Sequence, residues 1–417
     1  MLRVSLLALL LFFPLLATYR HRRTTFDVRS YDYNKFDYGN RDLVEGDIIL
    51  TQDQKQKIQK SNGGRQKRQI IISEVRGDET VRWQNNCVNY NFDDSITASK
   101  RAVIQEAISF ISSHSCFKFV RNTRPKGDSI KFINGNGCKS SVGRVGGEQR
   151  VIIGDGCEMV TGTVVHEIMH ALGVWHTQSR LDRNQFVYVN AAGSQHARNY
   201  KIESKYDQKL VVPYEYGSVM HYTHNSFDVS MRPRQYEFLY TMGSRRISLT
   251  DLKTINILGS CKCPKELPCQ YGGFTNPADC SSCLCPSGYS GRLCGDAPLG
   301  SIVLQASITW KSYQLSIRSD STYMISGYRS RTLIIEGPVG RTIHVMVTKM
   351  ENFMDTSGCV GNGVEIKYMK DQTLTNPIHC AKNTTGKQFS GKLTRLPIII
   401  YTKFPDPSTF GFQYRFI

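Results

Sequence analysis

The sequence predicts a multidomain protein with an α+β domain of a sheet and helices, then a small disulfide-rich module, then an all-β sandwich. Three observations lead to this fold class. The chain has 417 residues, more than one compact domain usually contains. Seven of its 13 cysteines fall between positions 261 and 294, a segment too small to form a hydrophobic core of its own. After them, short β-branched and aromatic runs alternate with turn residues, which is typical of a sandwich.

The first 68 residues have the composition of segments that are removed during maturation. Residues 1–17 combine Arg3, an apolar run and Ala17, the layout of a secretory signal peptide. The alternative is an uncleaved membrane anchor, but the run of about 13 residues is short for spanning a bilayer. We therefore expect a secreted, extracellular protein without stable membrane insertion.

Residues 18–68 are polar and are typical of a propeptide. This segment ends in the R-x-K-R pattern that furin-like convertases cut. Arg68 and Gln69 therefore flank the predicted activation cleavage, and an exposed Gly-Gly pair before the basic residues favours access by a protease.

In the α+β domain, residues 69–261, hydrophobic periodicity predicts a helix over Ser95 to Ser113, capped by Asp94 or Ser95. A second helix begins near Thr161, and its apolar residues should pack against the strands. Strands are predicted at three β-branched runs: Phe117 to Val120, Ser129 to Ile133 and Arg150 to Ile153.

The stretch HEIMHALGVWH, from His166 to His176, has the pattern of a catalytic zinc site. Residues four apart on a helix lie about 5 to 6 Å from each other on one face, so His166 and His170 can bind one ion. Glu167 can hold a water molecule beside it. Gly173 can adopt positive φ, end the helix and return His176 to the same ion. Three histidines leave one coordination position open, as in catalytic zinc sites.

The cysteines after position 261 predict a stapled module over residues 262–295. The spacing of Cys283, Cys285 and Cys294, with Gly288-Tyr289 between the last two, resembles an EGF-like module. That resemblance implies the pairs Cys263–Cys280, Cys269–Cys283 and Cys285–Cys294. The cysteine count alone allows 15 connectivities for six residues.

Residues 296–417 contain six strand-like runs: Ile302 to Leu304, Thr332 to Ile335, Ile343 to Val347, Val364 to Tyr368, Ile398 to Tyr401 and Phe412 to Phe416. The spacing of Cys359 and Cys380, with GVEIKY after the first and GFQYRF near the end, resembles a CUB domain, which implies that these two cysteines pair. Asn383 begins an N-x-T sequence and is a predicted glycosylation site.

The formal charge of +18 includes no Lys and Arg block interleaved with aromatic residues, so no nucleic-acid partner is expected. Two interpretations stay open: a solvated basic surface, and attraction to acidic extracellular polymers.

At HEIMHALGVWHTQSRLDR the chain resembles the astacin family of zinc metalloendopeptidases, within the metzincin group. The resemblance extends over most of residues 69–261 and includes the segment Ser218 to Tyr222, which matches the Met-turn. It implies a mixed sheet plus a zinc-binding helix. The order of propeptide, protease, EGF-like module and CUB-like domain is similar to that of secreted nematode astacins.

The resemblance also implies residue roles. His166, His170 and His176 would bind one zinc ion per subunit, and Glu167 would be the general base. Tyr222 would ligate zinc or support the oxyanion, and Met220 would pack beneath the metal. Asp47 matches the propeptide aspartate that blocks zinc in the zymogen. The implied disulfides of the protease domain are Cys116–Cys261 and Cys138–Cys157, which leave Cys87 over.

We therefore expect a secreted zinc-dependent endopeptidase that is made as a latent zymogen and hydrolyses internal peptide bonds of extracellular proteins, including matrix or cuticle components. One alternative is a secreted binding or adhesion protein that uses the EGF-like and CUB-like modules, with an inactive protease scaffold. Another is that these modules only direct the protease to matrix or cuticle, so that a chain ending near Cys261 has unchanged activity.

Overall fold

The computed structural model describes residues 43–52, 54, 82–202, 212–319 and 328–417. The predicted signal peptide over residues 1–17, the cleavage residues Arg68 and Gln69, and most of the predicted propeptide lie outside the described residues. Among the described residues, no helix is long and apolar enough to cross a bilayer.

The first part of the chain is built on a mixed sheet of seven strands. The strands are β1 (Leu43–Val44), β2 (Ile48–Ile49), β3 (Cys87–Phe92), β4 (Lys118–Arg121), β5 (Ser129–Ile133), β6 (Cys138–Ser141) and β7 (Glu148–Ile153). From one edge to the other the order is β1-β2-β6-β7-β5-β3-β4. The neighbours β6 and β7 pair antiparallel, whereas β2 with β6, β7 with β5, β5 with β3, and β3 with β4 pair in parallel.

Two helices, α1 (Ala98–Ser113) and α2 (Thr161–Leu172), share a hydrophobic core with this sheet. Aliphatic side chains such as Ile104 and Ile168 are fully buried there, and each contributes roughly 1.5 to 3 kcal/mol by leaving water. The predicted cap of α1 is wrong. Thr97 caps the helix by accepting the Lys100 N–H, because the Asp93 side chain binds the N–H of Ser95 and holds the preceding residues in a turn.

A second lobe follows α2. It contains the antiparallel pair β8 (Val187–Asn190) and β9 (Ser230–Pro233). An aromatic cluster that includes Tyr216, Tyr222 and Phe227 forms the interior of this lobe. Helix α3 (Leu249–Leu258) follows the lobe in sequence, and its Leu252, Ile255 and Leu258 pack in the first core. Ser248 and Asp251 form a capping box at the start of α3.

Residues 262–295, called here the disulfide module, contain the short pair β10 (Phe274–Thr275) and β11 (Cys283–Leu284). Three disulfides staple it: Cys263–Cys280, Cys269–Cys283 and Cys285–Cys294. These are the pairs that the EGF-like resemblance implies.

Residues 296–417, called here the sandwich, form two sheets that enclose an apolar core. The strands are β12 (Ile302–Gln305), β13 (Lys311–Ile317), β14 (Arg329–Glu336), β15 (Ile343–Glu351), β16 (Asn362–Ile366), β17 (Ile378–His379), β18 (Gln388–Gly391), β19 (Arg395–Thr402) and β20 (Ser408–Phe416). The first sheet has the order β12-β14-β19-β16-β17, and the second has the order β13-β20-β15-β18.

Each of the six predicted runs overlaps one of these strands. Strands β13, β17 and β18 were not predicted, because their sequences are polar or very short. The predicted run Val364 to Tyr368 ends early, since the Tyr368 N–H bonds to the Ile366 carbonyl in a tight turn.

A buried carboxylate lies where the second lobe meets the sandwich. Glu215 is 2% exposed and accepts hydrogen bonds from the backbone N–H groups of Gly217 and Thr375. Burial raises the pKa of Glu215 to about 8, and the two N–H donors oppose that rise only in part.

This pKa gives a pH-dependent stability. Between pH 4.5, the ordinary pKa, and about pH 8, the folded protein keeps a proton on Glu215 that the unfolded chain releases. The free energy of unfolding therefore falls as pH rises through that window. Glu215→Gln is neutral throughout. We expect its melting temperature, relative to the wild type, to increase from pH 5 to pH 8 in thermal denaturation. The exposed control Glu237→Gln should show no such trend, and a flat difference for Glu215→Gln would contradict the assignment.

Candidate metal centre

The predicted zinc-site histidines are brought together by helix α2 and the turn that ends it. His166 and His170 lie one helical turn apart on the buried face of α2. Gly173, with φ of 122°, ends the helix, and its N–H bonds to the Met169 and His170 carbonyls. The chain then reverses, and His176 returns to the other two histidines.

The ring nitrogens that face one another form a compact cluster with one carboxylate. The Nε2 atom of His166 lies 3.1 Å from Nε2 of His170 and 3.3 Å from Nε2 of His176. Asp47 Oδ2 lies 3.2 Å from Nε2 of both His166 and His176, and its Oδ1 lies 3.7 Å from that of His170. All four residues are buried.

The opposite nitrogen of each ring has an oxygen partner. Nδ1 of His166 lies 2.8 Å from the Val219 carbonyl, and Nδ1 of His170 lies 2.7 Å from the Val174 carbonyl. Nδ1 of His176 lies 2.6 Å from Glu45 Oε2. Because a carbonyl only accepts, Nδ1 carries the hydrogen in His166 and His170, and their Nε2 lone pairs point into the cluster.

Converging lone pairs and a carboxylate favour positive charge between them, which a metal ion can supply. Ligand bonds of 2.0 to 2.1 Å to tetrahedral zinc put ligand atoms about 3.3 Å apart, which matches the separations among these histidines. The residues therefore fit a zinc ion.

The electrostatics of the cluster favour neutral imidazoles at two positions. Burial lowers the pKa of His166 to about 4 and that of His170 well below 6.5. Burial also opposes charge on His176, but Asp47 and Glu45 outweigh it and raise the pKa of His176 to about 9. Burial likewise disfavours the Asp47 carboxylate, yet the histidines hold its pKa far below 3.8. A metal ion would replace the proton on His176.

Glu167 is completely buried next to the histidines. Neither of its carboxylate oxygens has a hydrogen-bond partner among the described residues. Burial, followed by the charge of Asp47, raises the pKa of Glu167 well above 4.5. Such an acceptor is suited to a small polar molecule such as water.

The segment Ser218 to Tyr222, called here the Met-turn after the resemblance, contacts the cluster through Val219 and Tyr222. Its Val219 N–H bonds to Asp251 Oδ2 at 3.0 Å, and its Met220 carbonyl accepts the Thr177 N–H at 3.0 Å. Met220 is buried in the first core. The Tyr222 ring lies 4.5 Å from the His176 ring, centroid to centroid, and its hydroxyl donates to the Glu45 carbonyl.

Sequence reasoning missed Glu45 and Arg245. The Glu45 carboxylate contacts Nδ1 of His176 and accepts from the Ser179 hydroxyl, and Arg245 donates to the Val219 carbonyl at 3.1 Å. The Glu-Gly-Asp order could have indicated Glu45, since a turn at Gly46, with φ of 74°, directs both carboxylates to one side. No local signal marks Arg245.

The remaining predicted site residues are placed as follows. Asn383 is exposed. The disulfides of residues 69–261 are Cys116–Cys261 and Cys138–Cys157, and that of the sandwich is Cys359–Cys380, which are the pairs that the resemblances imply. Cys87 is a half-buried free cysteine.

Comparisons with known proteins agree with this geometry. Residues 75–259 match the peptidase family described as Astacin. Zinc metalloproteinase nas-17 of Caenorhabditis elegans is 36% identical over 422 residues, which cover 100% of this chain and 95% of that protein. Zinc metalloproteinase nas-16 of the same nematode is 39% identical over 378 residues, covering 85% of this chain and 81% of that protein.

Among solved structures, a similar one is high choriolytic enzyme 1, a hatching enzyme zinc-protease from the medaka fish Oryzias latipes. It is 29% identical, covers 45% of this chain and 98% of its own, and has a TM-score of 0.42.

Proposed function

The chain belongs to the astacin family of zinc metalloproteinases, and on that premise we propose that it is a secreted endopeptidase that cleaves internal peptide bonds of extracellular proteins. The observation that supports this most strongly is the unsatisfied Glu167 carboxylate beside three converging imidazoles. A buried carboxylate without a hydrogen-bond partner is unfavourable for folding, so a domain that served only as a scaffold would not need one at this point.

In this proposal His166, His170 and His176 would hold a zinc ion, which would supply a Lewis acid and lower the pKa of a water molecule toward about 7. Glu167 accepts the proton of the water that attacks the peptide carbonyl, and returns it to the departing amine. The Tyr222 hydroxyl, once released from the Glu45 carbonyl, donates to the developing oxyanion.

The substrate is proposed to bind as an extended strand along β6. Support comes from β2, which already pairs there in parallel, with Ile48 opposite Ser140 and Ile49 opposite Ser141. A sheet edge that accepts one strand offers the same backbone donors and acceptors to another. The residues around β1 and β2 must leave before a substrate can enter.

Latency is proposed to result from the turn Glu45-Gly46-Asp47. Asp47 Oδ2 lies within 3.2 Å of two ligand nitrogens, the position that the attacking water needs. Glu45 binds the back of the third histidine, and its carbonyl accepts from Tyr222. Cleavage between Arg68 and Gln69 by a furin-like convertase would separate this turn from the mature chain.

The domain organisation is proposed as follows: a signal peptide at 1–17, a propeptide at 18–68, the protease at 69–261, an EGF-like module at 262–295 and a CUB-like domain at 296–417. The three staples of the disulfide module and the two-sheet sandwich support the last two assignments. Six disulfides support folding in an oxidising compartment, consistent with secretion, as does the exposed acceptor Asn383.

Replacing the base separates metal binding from catalysis. Glu167→Ala leaves the three histidines unchanged, so we expect one zinc per chain by atomic absorption. Peptide hydrolysis should fall by roughly 10²- to 10⁴-fold or more, because the proton of the attacking water has no acceptor. The exposed Glu237→Ala serves as a control and should match the wild type. Substantial hydrolysis by Glu167→Ala would remove Glu167 as the base.

Removing the blocking carboxylate should partly activate the uncut chain. In a background with Arg68→Ala to prevent cleavage, we expect Asp47→Ala to raise the basal hydrolysis of a quenched peptide roughly ten- to a hundredfold, since contacts of a buried carboxylate are worth about 1.5 to 3 kcal/mol. Gln54→Ala is the control, because Gln54 binds the Val142 carbonyl at 3.2 Å but does not contact the histidines. Equal basal rates for Asp47→Ala and Gln54→Ala would argue against a direct block.

A further inference from the structure

The sandwich contacts the protease at Glu215 and Gly217, which directly precede the Met-turn in sequence. The Thr375 N–H of the sandwich donates to Glu215 at 3.0 Å, and Glu215 also accepts the Gly217 N–H at 2.8 Å. A Cβ added to Gly217 would lie 2.5 Å from Thr375 Cβ. The absence of a side chain at Gly217 is therefore what allows the sandwich to approach this closely.

A buried ion pair fixes the part of the sandwich that makes this contact. Lys367 and Glu365 are almost completely buried, and Lys367 Nζ lies 3.5 Å from Glu365 Oε1. Lys367 donates to the Gln372 and Leu374 carbonyls at 2.8 and 2.9 Å, and Glu365 accepts the Asn376 N–H at 3.0 Å. The backbone around Thr375 is therefore held on both sides.

The Glu365 carboxylate of the sandwich contacts both the protease and the disulfide module. Glu365 accepts from Arg246 Nη1 of the protease at 3.2 Å and from the Ser287 hydroxyl of the disulfide module at 3.1 Å. The Arg246 guanidinium also lies 4.6 Å from the centre of the Tyr401 ring of the sandwich. A charged group that is buried between domains and fully partnered holds them in one arrangement.

The contacts of Thr375 and Glu365 with the protease lie next to two residues, Val219 and Arg245, that meet at the Val219 carbonyl oxygen. Val219 O accepts from His166 Nδ1 at 2.8 Å and from Arg245 Nη1 at 3.1 Å. Val219 follows Gly217 by two residues, and Arg245 precedes Arg246 directly. The sandwich thus restrains both the segment that supplies the carbonyl and the segment that supplies its second donor.

We propose that the sandwich is a positioning element of the metal centre: through Thr375 and Glu365 it fixes the segments around Gly217 and Arg246, so that the Val219 carbonyl keeps His166 oriented toward the ion. This rests on the proposed role of His166 as a zinc ligand. It differs from a sandwich that only directs the protease to its substrate, because it makes zinc retention depend on residues of the C-terminal domain.

The first experiment introduces a steric clash and then removes it, in the activated protein with the disulfide module and the sandwich retained. Gly217→Ala forces a methyl group against Thr375, and Thr375→Gly removes the atoms that it meets. We expect Gly217→Ala to release zinc to a chelator about tenfold faster and to lower kcat by a similar factor, as for other groups that orient metal ligands. KM should stay within about twofold. The double variant Gly217→Ala/Thr375→Gly should regain the wild-type zinc release rate and kcat.

The second experiment removes a cross-domain contact without adding bulk. Arg246→Gln breaks the contact between protease and Glu365, and the Glu365–Lys367 pair stays intact. Arg395→Gln is the matched control. Arg395 has similar exposure, 25% against 22%, and binds Glu336 at 2.9 Å and the Gly295 carbonyl, neither of which belongs to the protease. We expect faster zinc release only for Arg246→Gln.

Wild-type zinc release in both Gly217→Ala and Arg246→Gln would overturn the proposal, as would a Gly217→Ala defect that Thr375→Gly leaves uncorrected. The zinc measurements are repeated in the Glu167→Ala background, where hydrolysis is not needed. If no form of the chain hydrolyses peptides, the proposed function fails, and the zinc release rates still decide whether the sandwich positions the metal centre.

Discussion

The organisation of this protein depends on the orientation of three imidazole rings. In each ring Nδ1 contacts an oxygen atom, and this contact directs Nε2 toward the centre of the cluster. The Nε2 atoms of His170 and His176 lie 3.1 and 3.3 Å from Nε2 of His166. A single hydrogen bond of this kind contributes only about 0.5 to 1.5 kcal/mol, but loss of such a partner commonly lowers metal affinity or activity ten- to a hundredfold. The arrangement is costly without a cation, because lone pairs and a buried carboxylate face one another in a medium of low dielectric constant.

The oxygen atoms behind the rings come from three different parts of the chain. Val174 belongs to the turn after α2, Val219 to the Met-turn, and Glu45 to the predicted propeptide. The first is local and remains whenever the helix folds. The second is coupled to Glu215, Arg245 and the sandwich. The third would be lost if the predicted propeptide is cleaved off, as proposed above. In this account, folding, domain docking and the proposed activation act on the same three rings through separate contacts.

Short-range patterns predicted the parts of the site that lie close together in sequence. The spacing of His166, His170 and His176 and the break at Gly173 were sufficient for the cluster, because one helix and one turn determine its geometry. The cap of α1 was wrong because an Asx turn at Asp93 competes with the helix. Glu215 and Thr375 are separated by 160 residues, and no local pattern relates them. Strand β17 has two residues and exists only through its pairing with β16.

Zinc K-edge X-ray absorption of the uncut, purified chain tests the central claim most directly, since it reports the ligand atoms of the metal itself. The account predicts one zinc per chain, with three imidazole nitrogens and one carboxylate oxygen at about 2.0 to 2.2 Å. After cleavage, the imidazole signature should persist and the carboxylate should be replaced by water. Sulfur in the first shell, fewer than three imidazoles, or the absence of stoichiometric zinc from a chain that still hydrolyses peptides would contradict it.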